Sequence, residues 1–227
     1  MSNPESHGVE DYLEAIYELQ EEGERVVQAR ISRRLGVTRA SVSEQVARLQ
    51  KMRLVESNAR AITLTPHGFA VAEDAVRKHR LAERFLTDVL KMPWHLAHQE
   101  ANRFQSGITA EIEGRMLSVL GEPGTCPHGN PIPGTGASID PTLQPLKDFV
   151  AGETVELVRL LEDVELDTDA MRYFEEHALV PGSRITIVDV GPDGTMSLAV
   201  GDTKSSLGPK LTDNLWVKPA NRKARAK

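Results

Sequence analysis

Val9, Tyr12, Leu13, Ile16 and Leu19 recur at the i, i+3, i+4, i+7 spacing of one helical face, and Gly23 marks the end of that helix. A short helix anchored by Ala29, Ile31 and Leu35 follows, with its turn at Gly36. Thr38 is a suitable N-cap for the next helix, which runs to Met52 and turns Val42, Val46 and Leu49 inward. "LVES" and "AITL" then form two short β-prone runs on either side of "NARA". Helix, turn, helix and a two-stranded wing together predict a winged helix-turn-helix.

Beyond it, "LTPHG" opens a long helix, with Thr65 as N-cap and Pro66 at its first position, extending toward Lys91. Leu81, Phe85, Leu86 and Val89 form its apolar stripe. Pro93 opens another helix through Ser106, and Thr109 caps a third that ends near Gly121. Such stripes suit either a core within one subunit or a dimer interface. The Gly- and Pro-rich "GEPGTCPHGNPIPGTGASIDP" predicts a loop and domain boundary. "TVELVRLL", "RITIVDV" and "TMSLAVG" predict short strands, and "LTDNLWVK" supplies another. The expected fold class is mainly α with a small β part. A winged helix-turn-helix spans 1–65, a helical dimerisation and metal-binding domain 66–125, a linker 126–149, an SH3-like β-barrel 150–219 and a basic tail 220–227.

Charge sharpens the first of these. The chain has 227 residues and a net charge of -6, but residues 25–60 carry nine Lys or Arg against Glu44 and Glu56, a local +7 that leaves -13 elsewhere. Attraction to phosphate is local, screened over roughly 10 Å in salt, so a basic module on an acidic protein still binds nucleic acid. The helix from Thr38 would enter the major groove, offering Thr38, Arg39, Ser41, Ser43, Glu44 and Arg48, with Arg30 beside it and Arg60 at the wing tip. A helix-turn-helix used only for protein contacts is the alternative, but it leaves the basic block unexplained. Because one winged helix contacts too few base pairs for tight specific binding, a homodimer is expected on duplex operator DNA. No signal segment or membrane-length apolar run is present, and Cys126 is the only cysteine, so a soluble cytoplasmic protein is expected. No nucleophile elbow, phosphate-cradling glycine loop or HExxH appears, which argues against an enzyme. In "VRKHRLAERF", His79 and Glu83 stand one helical turn apart. That spacing fits a solvated charge pair as well as half of a metal site.

"DYLEAIYEL", the helix-turn-helix with its "LTPHG" exit, "RKHRLAERFLTDVL", "CPHGNPIPG" and the terminal barrel, in that order, resemble the iron- and manganese-dependent repressors typified by the diphtheria toxin repressor. The resemblance covers nearly the whole chain. It implies a dimeric repressor of palindromic operators with Mn(II) or Fe(II) as co-repressor, and two metal sites per subunit. His79, Glu83 and His98 match the ancillary site, and Asp167 in "ELDTDAM" falls where the barrel supplies a carboxylate, while Ala170 stands where some relatives have Gln. Arg80 and Asn130 match positions that hold an anion beside this site, and Cys126 falls where that branch has Ser. The thiol either ligates metal or is a buried structural cysteine.

The chain departs from the family at the primary site. Asn102, Gln105 and Ser106 stand where ionisable ligands and an imidazole are usual, and amides and hydroxyls replace them poorly. Asp11 and Glu14 match carboxylates of the manganese branch but equally form a solvated acidic face with Glu18. A weakened or absent primary site is expected. It leaves open a regulator of the same fold that is metal-independent or senses another ligand. Glu44 stands where relatives often have Gln, and a carboxylate prefers cytosine N4, so the operator is expected to differ from the usual one.

Overall fold

The computed structural model describes residues 8–58 and 60–220. It divides into two compact units, at Lys78 and His79. In the first, α1 (Val9–Glu21), α2 (Gln28–Arg34) and α3 (Arg39–Lys51) precede β1 (Val55–Ser57) and β2 (Ile62–Leu64), which pair antiparallel with Val55 opposite Leu64. The α1, α2 and α3 faces read from periodicity meet in one core, where Leu13, Ile16, Ile31, Val42, Val46 and Leu49 are buried with Leu54 and Ile62. Gly36 takes φ +65°, the left-handed geometry needed to turn α2 into α3. Thr38 caps α3, its hydroxyl accepting a hydrogen bond from Ser41 N at 3.1 Å.

Buried Arg34 ties α1 to α2. Its Nη1 donates to Glu18 Oε2 at 3.1 Å and its Nη2 to Glu22 Oε2 at 2.7 Å. Truncating one partner of a buried ion pair strands the other, so Arg34→Ala is expected to destabilise this unit by about 3 kcal/mol, read from urea unfolding of the full chain. A loss below about 1 kcal/mol would show that water reaches the pair.

Helix α4 (Pro66–Asp88) starts as expected, with Thr65 Oγ1 accepting from Gly68 N at 3.0 Å. A Cβ on Gly68 would lie 1.8 Å from the Leu54 carbonyl oxygen, so only glycine permits this approach. The helix stops at Asp88 rather than continuing to Lys91, which adopts φ +56°. The helix expected from Pro93 begins later. Pro93 is extended, a 3₁₀ turn covers Trp94–Leu96, α5 spans Ala97–Phe104, and a second 3₁₀ turn covers Gln105–Gly107. Helix α6 (Ala110–Leu120) is capped by Thr109 and closed by left-handed Gly121.

The β part of the second unit is an antiparallel six-stranded sheet in the order β3-β8-β4-β5-β6-β7. Its strands are β3 (Gln144–Pro145), β4 (Thr154–Leu160), β5 (Arg184–Val190), β6 (Met196–Val200), β7 (Thr203–Leu207) and β8 (Leu215–Pro219). Alternate residues of β4, β5, β6 and β8 fill its core with Phe174 and Met171. Three short helices interrupt it: α7 (Glu162–Glu165), α8 (Thr168–Glu176) and α9 (Pro209–Thr212). The strand pattern did not predict these. Asp167 explains α8, because its carboxylate accepts from Ala170 N at 3.1 Å as an N-cap.

The Gly- and Pro-rich segment read as a linker is packed at its start. Thr125 bridges Pro131, and Leu160 N donates to His128 O at 2.9 Å. Gly129, at φ +91°, presses against β4 so closely that a Cβ would lie 2.0 Å from Val158 O. The glycine therefore fixes where the residues on either side of it point. No helix among the described residues is long and apolar enough to cross a membrane. The basic-tail reading falls on 221–227, outside the described residues.

Candidate metal centre

His79 and Glu83 face the same side of α4, with His79 Nε2 3.2 Å from Glu83 Oε1. Both are buried, so the pair is not a solvated one. Helix α5 brings in His98, whose Nδ1 lies 3.2 Å from His79 Nε2 and 3.4 Å from Glu83 Oε1. Nitrogen and oxygen ligands about 2.0–2.2 Å from one ion stand roughly 3 Å from each other, so this triangle has the dimensions of one face of a coordination shell.

Two further segments close around it. From α7, Glu162 Oε2 and Glu165 Oε2 lie 3.6 and 3.7 Å from His98 Nδ1. From the loop before Gly129, His128 Nδ1 lies 2.6 Å from Glu165 Oε2 and 3.3 Å from Glu83 Oε1. Three overlapping groups each place donor atoms within 4.8 Å of one another: His79–Glu83–His98, Glu83–Cys126–His128 and His98–Glu162–Glu165.

Surrounding polar groups set the orientation. His79 Nδ1 donates to Gln105 Oε1 at 2.7 Å, which leaves the Nε2 lone pair directed at Glu83 and His98. Asn102 Nδ2 lies 3.2 Å from His98 Nε2. Asn130 Nδ2 donates to Glu165 Oε1 at 2.7 Å and to Leu160 O at 3.0 Å, holding α7 to the loop. Arg80 Nη1 donates to Pro131 O at 2.7 Å, and Nη2 is 3.9 Å from Glu162 Oε1. Arg80 and Asn130 thus meet the chain's own carboxylates.

Electrostatics show a cluster balanced by protons. Burial opposes ionisation of Glu83, but His128 and His79 outweigh it and hold the carboxyl well below the usual range. Burial also opposes protonation of His98 and His128. Glu165 and Glu83 nevertheless raise both well above an ordinary imidazole, with Glu162 adding to the rise at His98. Burial and the charge of Glu165 push Glu162 up to about 7. Burial first, and then the charge of Glu83, push the Cys126 thiol up to about 12. A divalent cation can take the place of those protons. His128 Nδ1 is paired with Glu165, while its Nε2 has no hydrogen-bond partner among the described residues. Imidazole, carboxylate and thiol donors fit a transition-metal ion.

Comparison with known proteins gives the same chemistry. The iron dependent repressor N-terminal DNA binding domain matches residues 6–61, its metal binding and dimerisation domain 65–134, and the FeoA domain 144–219. The iron-dependent repressor IdeR of Mycobacterium tuberculosis is 37% identical over 203 residues, 84% of this chain and 87% of that protein. The chain belongs to the iron-dependent repressor family. The diphtheria toxin repressor of Corynebacterium diphtheriae is 35% identical over 199 residues, 84% of this chain and 87% of that protein. Among solved structures of the family, a manganese-dependent transcriptional repressor in complex with manganese superposes with a TM-score of 0.83 at 29% identity, covering 94% of this chain and all of that one. The IdeR of T. acidophilum gives 0.76 at 29%, covering 95% and 99%. The winged-helix, helical and β-sheet organisation is therefore that of the iron-dependent repressors.

In this family member, the structure brings His79, Glu83 and His98 together, with Cys126 at their edge. It does not bring Asp167 to them. That carboxylate caps α8 and lies 3.8 Å from Lys210 Nζ. Glu162 and Glu165 occupy the place expected of it. Their i, i+3 spacing in "LLEDVE" was the available signal, since one helical turn puts both carboxylates on one face. His128 was also missed; its signal was an imidazole two residues from Cys126 in the same loop. Gln105 and Asn102 serve as partners of His79 and His98. Ser106 is exposed within a 3₁₀ turn. On α1, Asp11 Oδ2 accepts from Gly8 N at 2.7 Å, and Glu14 lies on the buried face.

Of the expected DNA contacts, Arg39, Ser43, Glu44 and Arg48 are exposed on α3, while Thr38 is its cap and Ser41 Oγ lies 3.4 Å from the Tyr12 hydroxyl. Arg30 is paired with Glu24 at 2.5 Å. The backbone of Arg60 is fixed at the wing, its N–H donating to Asn58 Oδ1 at 2.8 Å and its carbonyl accepting from Arg25 Nε.

Proposed function

We propose that the protein is a cytoplasmic, non-enzymatic transcriptional repressor that binds palindromic operator DNA as a homodimer, with Mn(II) or Fe(II) as co-repressor. The observation that carries this reading is the buried His79–Glu83–His98 triangle closed by the α7 carboxylates, in a chain whose relatives are metal-dependent repressors. His79, Glu83 and His98 would hold the ion, with Glu162 and Glu165 supplying the carboxylate charge expected of Asp167. When bound, the ion supplies positive charge that replaces the imidazole protons and draws α4, α5, α7 and the 126–130 loop to one point. The residues keep to their own tasks: Gln105 fixes the His79 tautomer, and Asn130 positions Glu165. The matched dimerisation domain supports the homodimer, as do the exposed Val89, Leu90, Phe104, Ile112 and Val119.

A second reading, a regulator of the same fold insensitive to metal, is favoured by one observation: Asn102 and Gln105 act as hydrogen-bond partners of imidazoles where the family's primary site has ligands. A gel-shift titration on the chain's own promoter separates the two. Mn(II) or Fe(II) is expected to tighten binding by about tenfold or more, a coupling of about 1.4 kcal/mol. Equal affinity in chelator would establish the second reading.

A further inference from the structure

His128 is unexplained by a single metal position formed by His79, Glu83 and His98. Its side chain is wholly buried, its ring packed edge-on against Trp94 with centroids 4.8 Å apart. Its Nδ1 stands 2.6 Å from Glu165 Oε2 and 3.3 Å from Glu83 Oε1, whereas its Nε2 has no hydrogen-bond partner among the described residues. Buried polar atoms are ordinarily satisfied, so this one calls for a missing partner. The neighbouring donors are those of a cation site. Cys126, two residues back on the same loop, is buried, and its sulfur lies within 4.8 Å of a ligand atom of His128 and of Glu83. The loop cannot easily carry these groups elsewhere, because Gly129 is wedged against Val158 and Asn130 is bonded to Leu160 O and Glu165.

We propose that Cys126, His128 and Glu83 bind a second divalent cation beside the one held by His79, Glu83 and His98, with Glu83 as the carboxylate shared between them. The inference rests on the first position being a metal site, because the two share Glu83. A carboxylate has two oxygens, and paired metal sites stand about 3.5–4 Å apart, a separation one bridging carboxylate spans. The first position, with imidazole and carboxylate donors, accepts Mn(II) or Fe(II). The second includes sulfur, which favours Fe(II), Co(II) or Zn(II) over Mn(II). The thiol proton leaves to solvent as the sulfur binds the ion, with no change in oxidation state.

Co(II) titration of the metal-stripped full-length chain, followed by near-ultraviolet absorbance and equilibrium dialysis, tests this. About two equivalents per chain are expected, one of them accompanied by a thiolate-to-cobalt charge-transfer band. Cys126→Ser should remove the band and one equivalent while retaining the other. His128→Gln should also remove one equivalent without touching the sulfur, so agreement between the two variants separates ligand loss from a folding defect. His79→Ala should remove the other equivalent and keep the band. If the native chain binds one equivalent that His79→Ala removes and Cys126→Ser spares, the second position is overturned and the first stands. If it binds no Co(II), both fall.

Discussion

Glu83→Ala is expected to lower the affinity for Mn(II) or Fe(II) by about 100-fold or more, the largest loss of any single substitution in the cluster, since even partners outside a metal's own ligands are worth 10–100-fold. The reason is placement. A single carboxylate oxygen, Glu83 Oε1, lies 3.2 Å from His79, 3.4 Å from His98 and 3.3 Å from His128. Without it, Glu162 and Glu165 alone face three rings, and at two of them, His98 and His128, the surrounding carboxylates favour the charged imidazolium against the cost of burial. The metal-free protein should suffer as well, by about 3 kcal/mol, because a buried cation loses its counter-charge. Glu83→Gln keeps the volume and a carbonyl oxygen, so it separates charge from packing: stability should partly return while metal affinity does not. Calorimetric titration with Mn(II) gives the affinity and thermal unfolding gives the stability. A Glu83→Ala variant that binds Mn(II) as the native chain does would remove Glu83 from the ligand set, and with it the shared position.

The sequence disclosed what regular periodicity and local capping express. Helices α1, α3 and α6 follow from apolar spacing together with Thr38, Thr109, Gly23 and Gly121, each acting within a few residues of its own position. His79 and Glu83 were visible because a long helix makes i, i+4 a spatial statement. Loop and short-helix residues escaped because their proximity is tertiary. His128 reaches the cluster only because Gly129 lets its loop approach β4. Glu162 and Glu165 sit on a four-residue helix, too short to produce a period. Asp167 was selected by its position in the chain, whereas its type and the following Thr168 and Asp169 describe a helix cap. In sequence Gln105 and Asn102 read only as poor replacements for metal ligands; the structure uses the hydrogen bonds amides make well. Strand β7, "TKSSL", turns only Ser205 and Leu207 inward at the sheet edge, so its sequence lacks the apolar alternation of the other strands.

DNA affinity is expected to fall about 10³-fold between roughly 50 and 200 mM salt, the slope of a protein that neutralises about six phosphates. The +7 block at 25–60 is the expected source, since attraction to phosphate is local and the remainder of the chain carries a net -13. Within that block the cations are not equivalent. Arg34 is buried against Glu18 and Glu22 and cannot reach DNA, and Arg30 is paired with Glu24. Arg39 and Arg48 are exposed on α3, and Arg60 is exposed on a wing whose backbone is fixed by Asn58 and Arg25. On the proposed reading Arg60 would meet a phosphate, so Arg60→Ala should weaken all sequences alike and reduce the salt slope by about one per protomer. On the proposed reading Arg39, exposed in the first turn of α3, would meet a base edge. Its replacement by Ala should cost about 1–3 kcal/mol at one operator position and flatten the preference there, with little change in slope. Fluorescence anisotropy on a set of single-base operator variants, at several salt concentrations, measures both quantities. If affinity ignores salt, or if Arg39→Ala and Arg60→Ala are indistinguishable in it, α3 is not the element that reads the operator.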